Sequence, residues 1–278
     1  MIVVRLRNGL GNQMFQYALG RNLSIRYGRE LCLETSLLKK AGVVPREYGL
    51  GVFPISSRLV SAEEVSRIVE EQGAYAVVSQ SWRGYHASAG CAPHATLTVY
   101  DGLWQSERYF SDIGSTIRND FACGEADLEP TKRQMYQTIR EGESICVHVR
   151  RTDYLLRHYS MRFIGLSYYV KALATIDERV RSPHFYIFSD DLAWCKKNLA
   201  LEGRAHTFVE ELGWPQFILM TGCKHFLIAN STFSWWAAWL GTCPEKIVVA
   251  PPDWFHDDEA ASRDIIPDAW LRCQSLPE

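Results

Sequence analysis

Four short strings carry side chains suited to holding a diphosphate, and each follows an apolar run. His148-Val-Arg150-Arg151-Thr152-Asp153 sets two guanidinium groups straight after Ser144–Val149. Adjacent arginines at the mouth of a buried strand are costly unless they hold something acidic. Guanidinium forks match phosphate oxygens bidentately and keep their charge at every relevant pH. Asp153 can orient an arginine or act as a base; the plainer alternative for the whole string is a surface charge cluster. Asn230-Ser231-Thr232-Phe233-Ser234 follows Phe226–Ala229. Ser or Thr there caps the next helix, whose first N–H groups face an anion. Trp236 and Trp239 beyond it read as core. Ser189-Asp190-Asp191 follows His184–Phe188. By itself that is a helix N-cap; in a nucleotide site one of the carboxylates can accept hydrogen bonds from a guanine edge. Gly9-Leu-Gly11-Asn12-Gln13 follows Ile2–Leu6. Its glycines let a backbone approach a ligand at a helix start. It fails as a dinucleotide fingerprint, because Met14 occupies the third glycine position and no acidic residue ends a clear second strand. A tight turn capped by Asn12 is the alternative.

These strings need elements to position them. Ile2–Leu6 reads as a strand, and Met14–Tyr27 as a helix with Phe15, Leu19 and Leu23 on one face. Residues 30–130 are less legible: short apolar pieces at 76–78 and 97–100, helices at 62–72 and 106–121, and a loop at 127–130 leading into a helix over Lys132–Ile139. The second half alternates clearly. Strands are predicted at 144–149, 184–188, 226–229 and 247–250, with helices at 167–176, 192–199, 217–221 and 233–240. Unbroken apolar strands between helices imply an α/β fold, a parallel sheet covered on both faces. Ligands of such sheets sit at the carboxyl ends of the strands, so the polar turns converge on one crevice. A hinge near Gly142 divides an expected first domain, 1–141, from a second, 142–278.

Composition narrows the class. The 278 residues carry 30 Lys+Arg and 32 Asp+Glu, a net charge of −2, with 47% apolar residues. That argues against a dedicated nucleic-acid binder, collagen, coiled coil and wholesale disorder. Met1 and three further apolar residues precede Arg5, the reverse of a secretory signal. The uncharged run Phe226–Pro244 is broken by Asn230, Ser231, Thr232 and Ser234, and reads as buried strand plus helix rather than a membrane span. A cytoplasmic protein is expected. Eight dispersed cysteines without a C-x-x-C predict free, partly buried thiols. Cys223-Lys-His225 is too small a set for zinc, so no metal is expected.

Gly9-Leu-Gly-Asn-Gln-Met-Phe-Gln-Tyr-Ala18, His148-Val-Arg-Arg-Thr-Asp-Tyr154, Phe188-Ser-Asp-Asp191 and Asn230-Ser-Thr-Phe-Ser-Trp-Trp-Ala-Ala-Trp-Leu240 resemble the bacterial α-1,2-fucosyltransferases of glycosyltransferase family 11, in content and in order. The double-Arg string is shared with α-1,6- and protein O-fucosyltransferases. The resemblance implies a GT-B-like fold, two Rossmann-like halves facing a cleft, the first on the acceptor side and the second binding GDP-fucose. It implies inverting transfer from GDP-β-L-fucose to a galactose 2-hydroxyl without a required metal or other cofactor. It carries pyrophosphate binding to Arg150 and Arg151, and nucleotide contacts to His148 and to Asp190 or Asp191. Phosphate or fucose contacts fall to Ser231, Thr232, Phe233 and Ser234, while Asn12 and Gln13 line the cleft from the first half. Arg150 and the helix start would stabilise the departing β-phosphate, with Asp153 a candidate base. Thr152 stands where the family usually has Gly, away from every proposed contact. The implied partners are GDP-fucose and a galactose-terminated glycan, with peripheral association at the inner membrane through a lipid-linked acceptor. Other readings are a fucosyltransferase of another linkage, another GDP-sugar transferase, a nicotinamide-dependent oxidoreductase built on the Gly9/Gly11 turn, and a non-catalytic sugar-binding protein with Trp82, Trp104 or Trp254 as platforms.

Overall fold

A computed structural model describes residues 1–39, 46–80, 83–90, 95–152, 164–255 and 258–273. The chain divides into two compact units, Met1–Ala122 and Cys123–Glu278. In the first, β1 (Ile2–Arg5), α1 (Leu10–Tyr27), β2 (Leu31–Glu34), β3 (Arg58–Val60), α2 (Ala62–Gln72), β4 (Tyr75–Ser79), β5 (Leu97–Asp101) and α3 (Gly114–Asp120) follow one another. The second holds α4 (Pro130–Glu141), β6 (Ser144–Val149), α5 (Leu166–Asp177), β7 (His184–Ser189), α6 (Leu192–Asn198), β8 (Ala205–Val209), α7 (Gly213–Thr221), β9 (His225–Leu227), α8 (Thr232–Leu240), β10 (Val248–Ala250), α9 (Glu259–Ile265) and β11 (Leu271–Arg272). The strand orders are β3-β2-β1-β5-β4 and β11-β10-β9-β6-β7-β8. Every pairing is parallel. Two Rossmann-like units with parallel sheets are the α/β, GT-B-like class expected. Every residue of β6 is buried, because helices cover both faces of its sheet.

Local differences from the sequence reading have physical causes. The first helix begins at Leu10, not Met14: Gly9 is its extended N-cap, and the Asn12 and Gln13 N–H groups donate to Gly9 O (3.0 and 3.2 Å). Asn12 is therefore inside the helix and caps nothing. The helix expected over 106–121 is reduced to α3. Ser106 caps a short turn by accepting from Arg108 N–H, and Phe110 takes φ −143°, far from helical backbone. Its buried ring instead lies 6.3 Å from that of Phe15. The break between units falls at Ala122/Cys123, upstream of the hinge expected near Gly142. Helix α4 packs within the second unit: Ile139 is buried, and a Cβ on Gly222 would lie 2.6 Å from the Tyr136 ring.

In the first unit, glutamines stitch the carboxyl ends of the strands. Gln13 is fully buried; its Nε2 donates to Asn8 O (3.0 Å) and Glu47 O (2.9 Å), and its Oε1 accepts from Gly49 N–H (2.9 Å). Gln16 Nε2 donates to Gly102 O (3.0 Å) and its Oε1 accepts from Arg7 N–H (3.1 Å), tying the turn after β1 to the turn after β5. Gln80 Oε1 accepts from the Leu103 and Trp104 N–H groups. At Gly102 a Cβ would meet Gln80 Cβ at 2.6 Å and the Trp104 ring at 2.7 Å, so this turn requires glycine. Among the described residues no helix is long and apolar enough to cross a membrane, and seven cysteines are free.

Gln16→Leu keeps the volume but strands the buried Gly102 carbonyl and the part-buried Arg7 N–H. We expect a loss of about 2–4 kcal/mol, since each unsatisfied group costs roughly 1–3 kcal/mol. Denaturant unfolding checks this; an unchanged midpoint would show that Gln16 does not join the two turns.

Candidate functional site

From β6 the chain of the second unit adds β7 and β8 on one side, then returns to add β9, β10 and β11 on the other. The connections therefore diverge between β6 and β9. At such a switch point the loops leave the sheet in opposite directions and open a crevice at the strand ends. The double-Arg string follows β6, and the Asn-Ser-Thr string follows β9. The two tyrosines of α5 hold these ends: the Tyr168 hydroxyl donates to Ile228 O (2.6 Å), and the Tyr169 hydroxyl approaches His148 O (3.4 Å).

Asp190 ties the loop after β6 to the loop after β7. Its Oδ1 accepts from Arg151 N–H (2.9 Å). Its Oδ2 accepts from Thr152 N–H (3.2 Å) and the Thr152 hydroxyl (2.5 Å), and lies 3.3 Å from Arg150 Nη1. Burial alone would push this carboxyl up, but the Thr152 hydroxyl, the Arg151 N–H and the Arg150 charge outweigh it and hold it below its ordinary value. Thr152 thus touches a proposed contact, contrary to the expectation that it stands apart. Its hydroxyl supplies a bond that glycine cannot.

Asp191 caps α6, its Oδ1 accepting from Trp194 N–H (3.0 Å), while its Oδ2 faces Arg151 Nε at 3.4 Å. The Arg151 guanidinium lies over the Trp194 ring, 3.8 Å from its centroid. Its side chain is 12% exposed, against 30% for Arg150. Of the two arginines, Arg150 is the more open to a ligand. Trp194 was not singled out from the sequence; an aromatic four residues into a strand–Asp-Asp–helix string was the available signal.

On the other side of the switch point, Ser231 is the N-cap residue of α8, and its side chain makes no capping hydrogen bond. Thr232 and Phe233 are partly exposed. Ser234 is fully buried and its hydroxyl donates to Ser231 O (3.1 Å), so it braces the first turn from within. Asn230 Nδ2 donates to Trp254 O (3.0 Å). The far end of α8 is capped by one ammonium: Lys246 Nζ donates to the carbonyls of Ala238 (2.7 Å), Trp239 (3.1 Å) and Gly241 (2.8 Å). The helix dipole is thus matched by a cation at its C-terminus and left uncapped by side chains at its N-terminus. His148 ends the buried face of β6, 6.3 Å from the Phe233 ring. Its Nδ1 is buried without a hydrogen-bond partner among the described residues. Burial, then the Arg150 charge, lowers its pKa to about 3 against a smaller opposing effect of Asp190.

His148, Arg150, Arg151, Asp190, Asp191 and Ser231–Ser234 therefore share one sheet edge. Asp153 lies outside the described residues, as does Trp82. Asn12 and Gln13 belong to the first unit. There Asn12 Oδ1 accepts from Gln105 Nε2 (2.5 Å), whereas Gln13 is consumed by main-chain bonds. Trp104 and Trp254 are buried, at 1% and 0% exposure, and offer no platform; Trp236 and Trp239 are core, as expected. A half-buried arginine and a helix N-terminus at the same strand ends can bind a diphosphate and stabilise charge developing on it.

A family profile described as Glycosyl transferase family 11 matches residues 54–274. An alpha-1,2-colitosyltransferase of Escherichia coli is 30% identical over 99% of both chains. Human galactoside alpha-(1,2)-fucosyltransferase 1 is 26% identical over 83% of this chain and 62% of its own. Among solved structures, a NodZ alpha-1,6-fucosyltransferase soaked with GDP-fucose superposes with a TM-score of 0.48 at 14% identity, covering 86% of this chain and 92% of that one.

The buried His148 gives a pH prediction. Its folded pKa, about 3, lies below the ordinary 6.5, so the unfolded chain takes up a proton that the native state refuses. The penalty is absent above about pH 6.5 and grows as the pH falls towards about 3. His148→Gln should therefore lose stability less steeply across that window, measured as denaturant midpoints at stepped pH. Parallel curves would mean that His148 titrates normally.

Proposed function

This chain belongs to glycosyltransferase family 11, and on that footing we propose that it transfers L-fucose from GDP-β-L-fucose, with inversion, to the 2-hydroxyl of a galactose in an oligosaccharide or glycan precursor. The observation that carries the reading is the edge of the second sheet, where Arg150 on its Asp190 anchor and the open start of α8 follow the two strands that flank the switch point. As the bond from fucose C1 to the GDP oxygen breaks, negative charge grows on the β-phosphate. Arg150 and the first N–H groups of α8 stabilise that charge more in the transition state than in the ground state. In this reading they supply what a divalent metal supplies in other phosphate-leaving reactions, and no cofactor is required. The galactose hydroxyl attacks the opposite face of C1 and loses its proton. Asp153 is the candidate base, and a largely dissociative path asks little of it. His148, neutral over the working pH range, adds a hydrogen-bonding group without a charge.

A second reading differs only in the donor sugar: the colitosyltransferase at 30% identity favours a colitosyl donor. In either case the acceptor is a galactose-terminated glycan. In this reading the reaction runs in the cytoplasm on a precursor, with peripheral association at the inner membrane where that precursor is lipid-linked.

Calorimetric titration of the metal-free protein with GDP, GDP-fucose, GDP-mannose and a colitosyl nucleotide tests this. We expect GDP to bind, one of the fucosyl or colitosyl donors to be preferred over GDP-mannose, and Arg150→Ala to weaken GDP about 10- to 100-fold, the value of a charge-assisted hydrogen bond. Absence of binding by every GDP species, or an indifferent Arg150→Ala, would remove the reading.

A further inference from the structure

We propose that Arg151 and Trp194 are positioning residues, which latch the loop after β6 to the start of α6 and so aim Arg150, and that Arg151 is not itself a diphosphate ligand. This rests on the donor reading above. It departs from the family resemblance, which carries pyrophosphate binding to both arginines.

The Arg151 guanidinium lies 3.8 Å from the centroid of the Trp194 ring, at stacking contact. Its Nε lies 3.4 Å from Asp191 Oδ2. The same Asp191 fixes the main chain that carries the ring, because its other oxygen accepts from the backbone N–H of Trp194 at 3.0 Å. For Arg151 to reach a phosphate it would have to leave the indole and strip Asp191 of a counter-charge. The main chain beside it is equally fixed: Asp190 accepts the N–H groups of both Arg151 and Thr152. Arg150 precedes this clamped segment directly and shares the Asp190 carboxylate. Its guanidinium is set by a carboxylate on one side and by an immobilised backbone on the other. Loss of the latch would let residues 150–152 drift from Asp190 and leave Arg150 poorly aimed.

The chemistry of substitution separates a latch from a ligand. Lysine can replace arginine as a point charge on phosphate, but it cannot lie flat on an indole. Phenylalanine in place of Trp194 keeps an aromatic face, and leucine does not.

The test is a double-mutant cycle read as GDP affinity by calorimetry, on wild type, Arg150→Ala, Trp194→Leu and the double variant, with Trp194→Phe and Arg151→Lys beside them. Thermal unfolding of each confirms that it is folded. A cation–aromatic stack shifts an equilibrium by about 2- to 30-fold. We expect Trp194→Leu and Arg151→Lys each to weaken GDP about five- to tenfold, and Trp194→Phe to weaken it less than about twofold. In the Arg150→Ala background, Trp194→Leu should change the affinity by less than about twofold, because the latch acts through Arg150. Equal losses in both backgrounds, an indifferent Trp194→Leu, or an Arg151→Lys that binds like wild type would overturn the proposal. Should Trp194→Leu fail to fold, the same cycle with Arg151→Lys decides it. If wild type binds no GDP, the donor reading falls and takes the latch with it. If wild type binds GDP and the losses add, the latch alone falls.

Discussion

A single carboxylate organises the candidate site. Asp190 is largely withdrawn from water, which by itself disfavours its charge, yet it meets two main-chain N–H groups, a hydroxyl and a guanidinium. A buried charge is tolerable only when its partners replace the lost hydration. Here the partners are two consecutive residues of the loop after β6, with Arg150 beside them. The same contacts that stabilise the anion thus fix the backbone that carries Arg150. The register of β6 against β7, in which Val149 stands opposite Ser189, brings these loops level. Thr152 is part of this arrangement rather than a neutral replacement for glycine.

The helix on the other side of the switch point is prepared by different means. Trp235 and Trp236 are fully buried and Trp239 nearly so; Trp235 Nε1 donates to Ile265 O (2.7 Å) and its ring meets Trp270 at 5.4 Å between centroids. This aromatic mass locks α8 laterally. Lys246 closes its carbonyl end. Only the N-terminus is without a capping side chain. The first unit uses neutral amides for comparable work at its own sheet edge. Gln13, Gln16 and Gln80 join turns there without fixing a charge. The first unit also carries ion pairs at that edge, where Arg5 and Arg7 share Asp101 at the end of β5.

What the amino-acid order determined by itself was periodicity and chemistry. The runs over 144–149 and 184–188 are apolar throughout because helices cover both sheet faces, so β6 and β7 were legible almost to the residue. Polar strings following such runs made Arg150, Asp190 and the start of α8 candidates without a structure. Strands β2, β3, β8 and β11 were not legible. They are short, and the exposed β11 and the partly exposed β3 and β8 give no apolar run; their pairing comes from neighbours distant in sequence. The helix expected over 106–121 failed because burial of Phe110 against Phe15 outweighs local propensity. Tertiary structure alone decided which polar side chains are free to act. Gln13 and Ser234 have the right types at the right places, yet the backbone around them takes up their hydrogen-bonding capacity. Arg150 and Arg151 are identical and adjacent in sequence. The position of Trp194, brought beside them by the pairing of β6 with β7, separates a half-buried guanidinium from a stacked one.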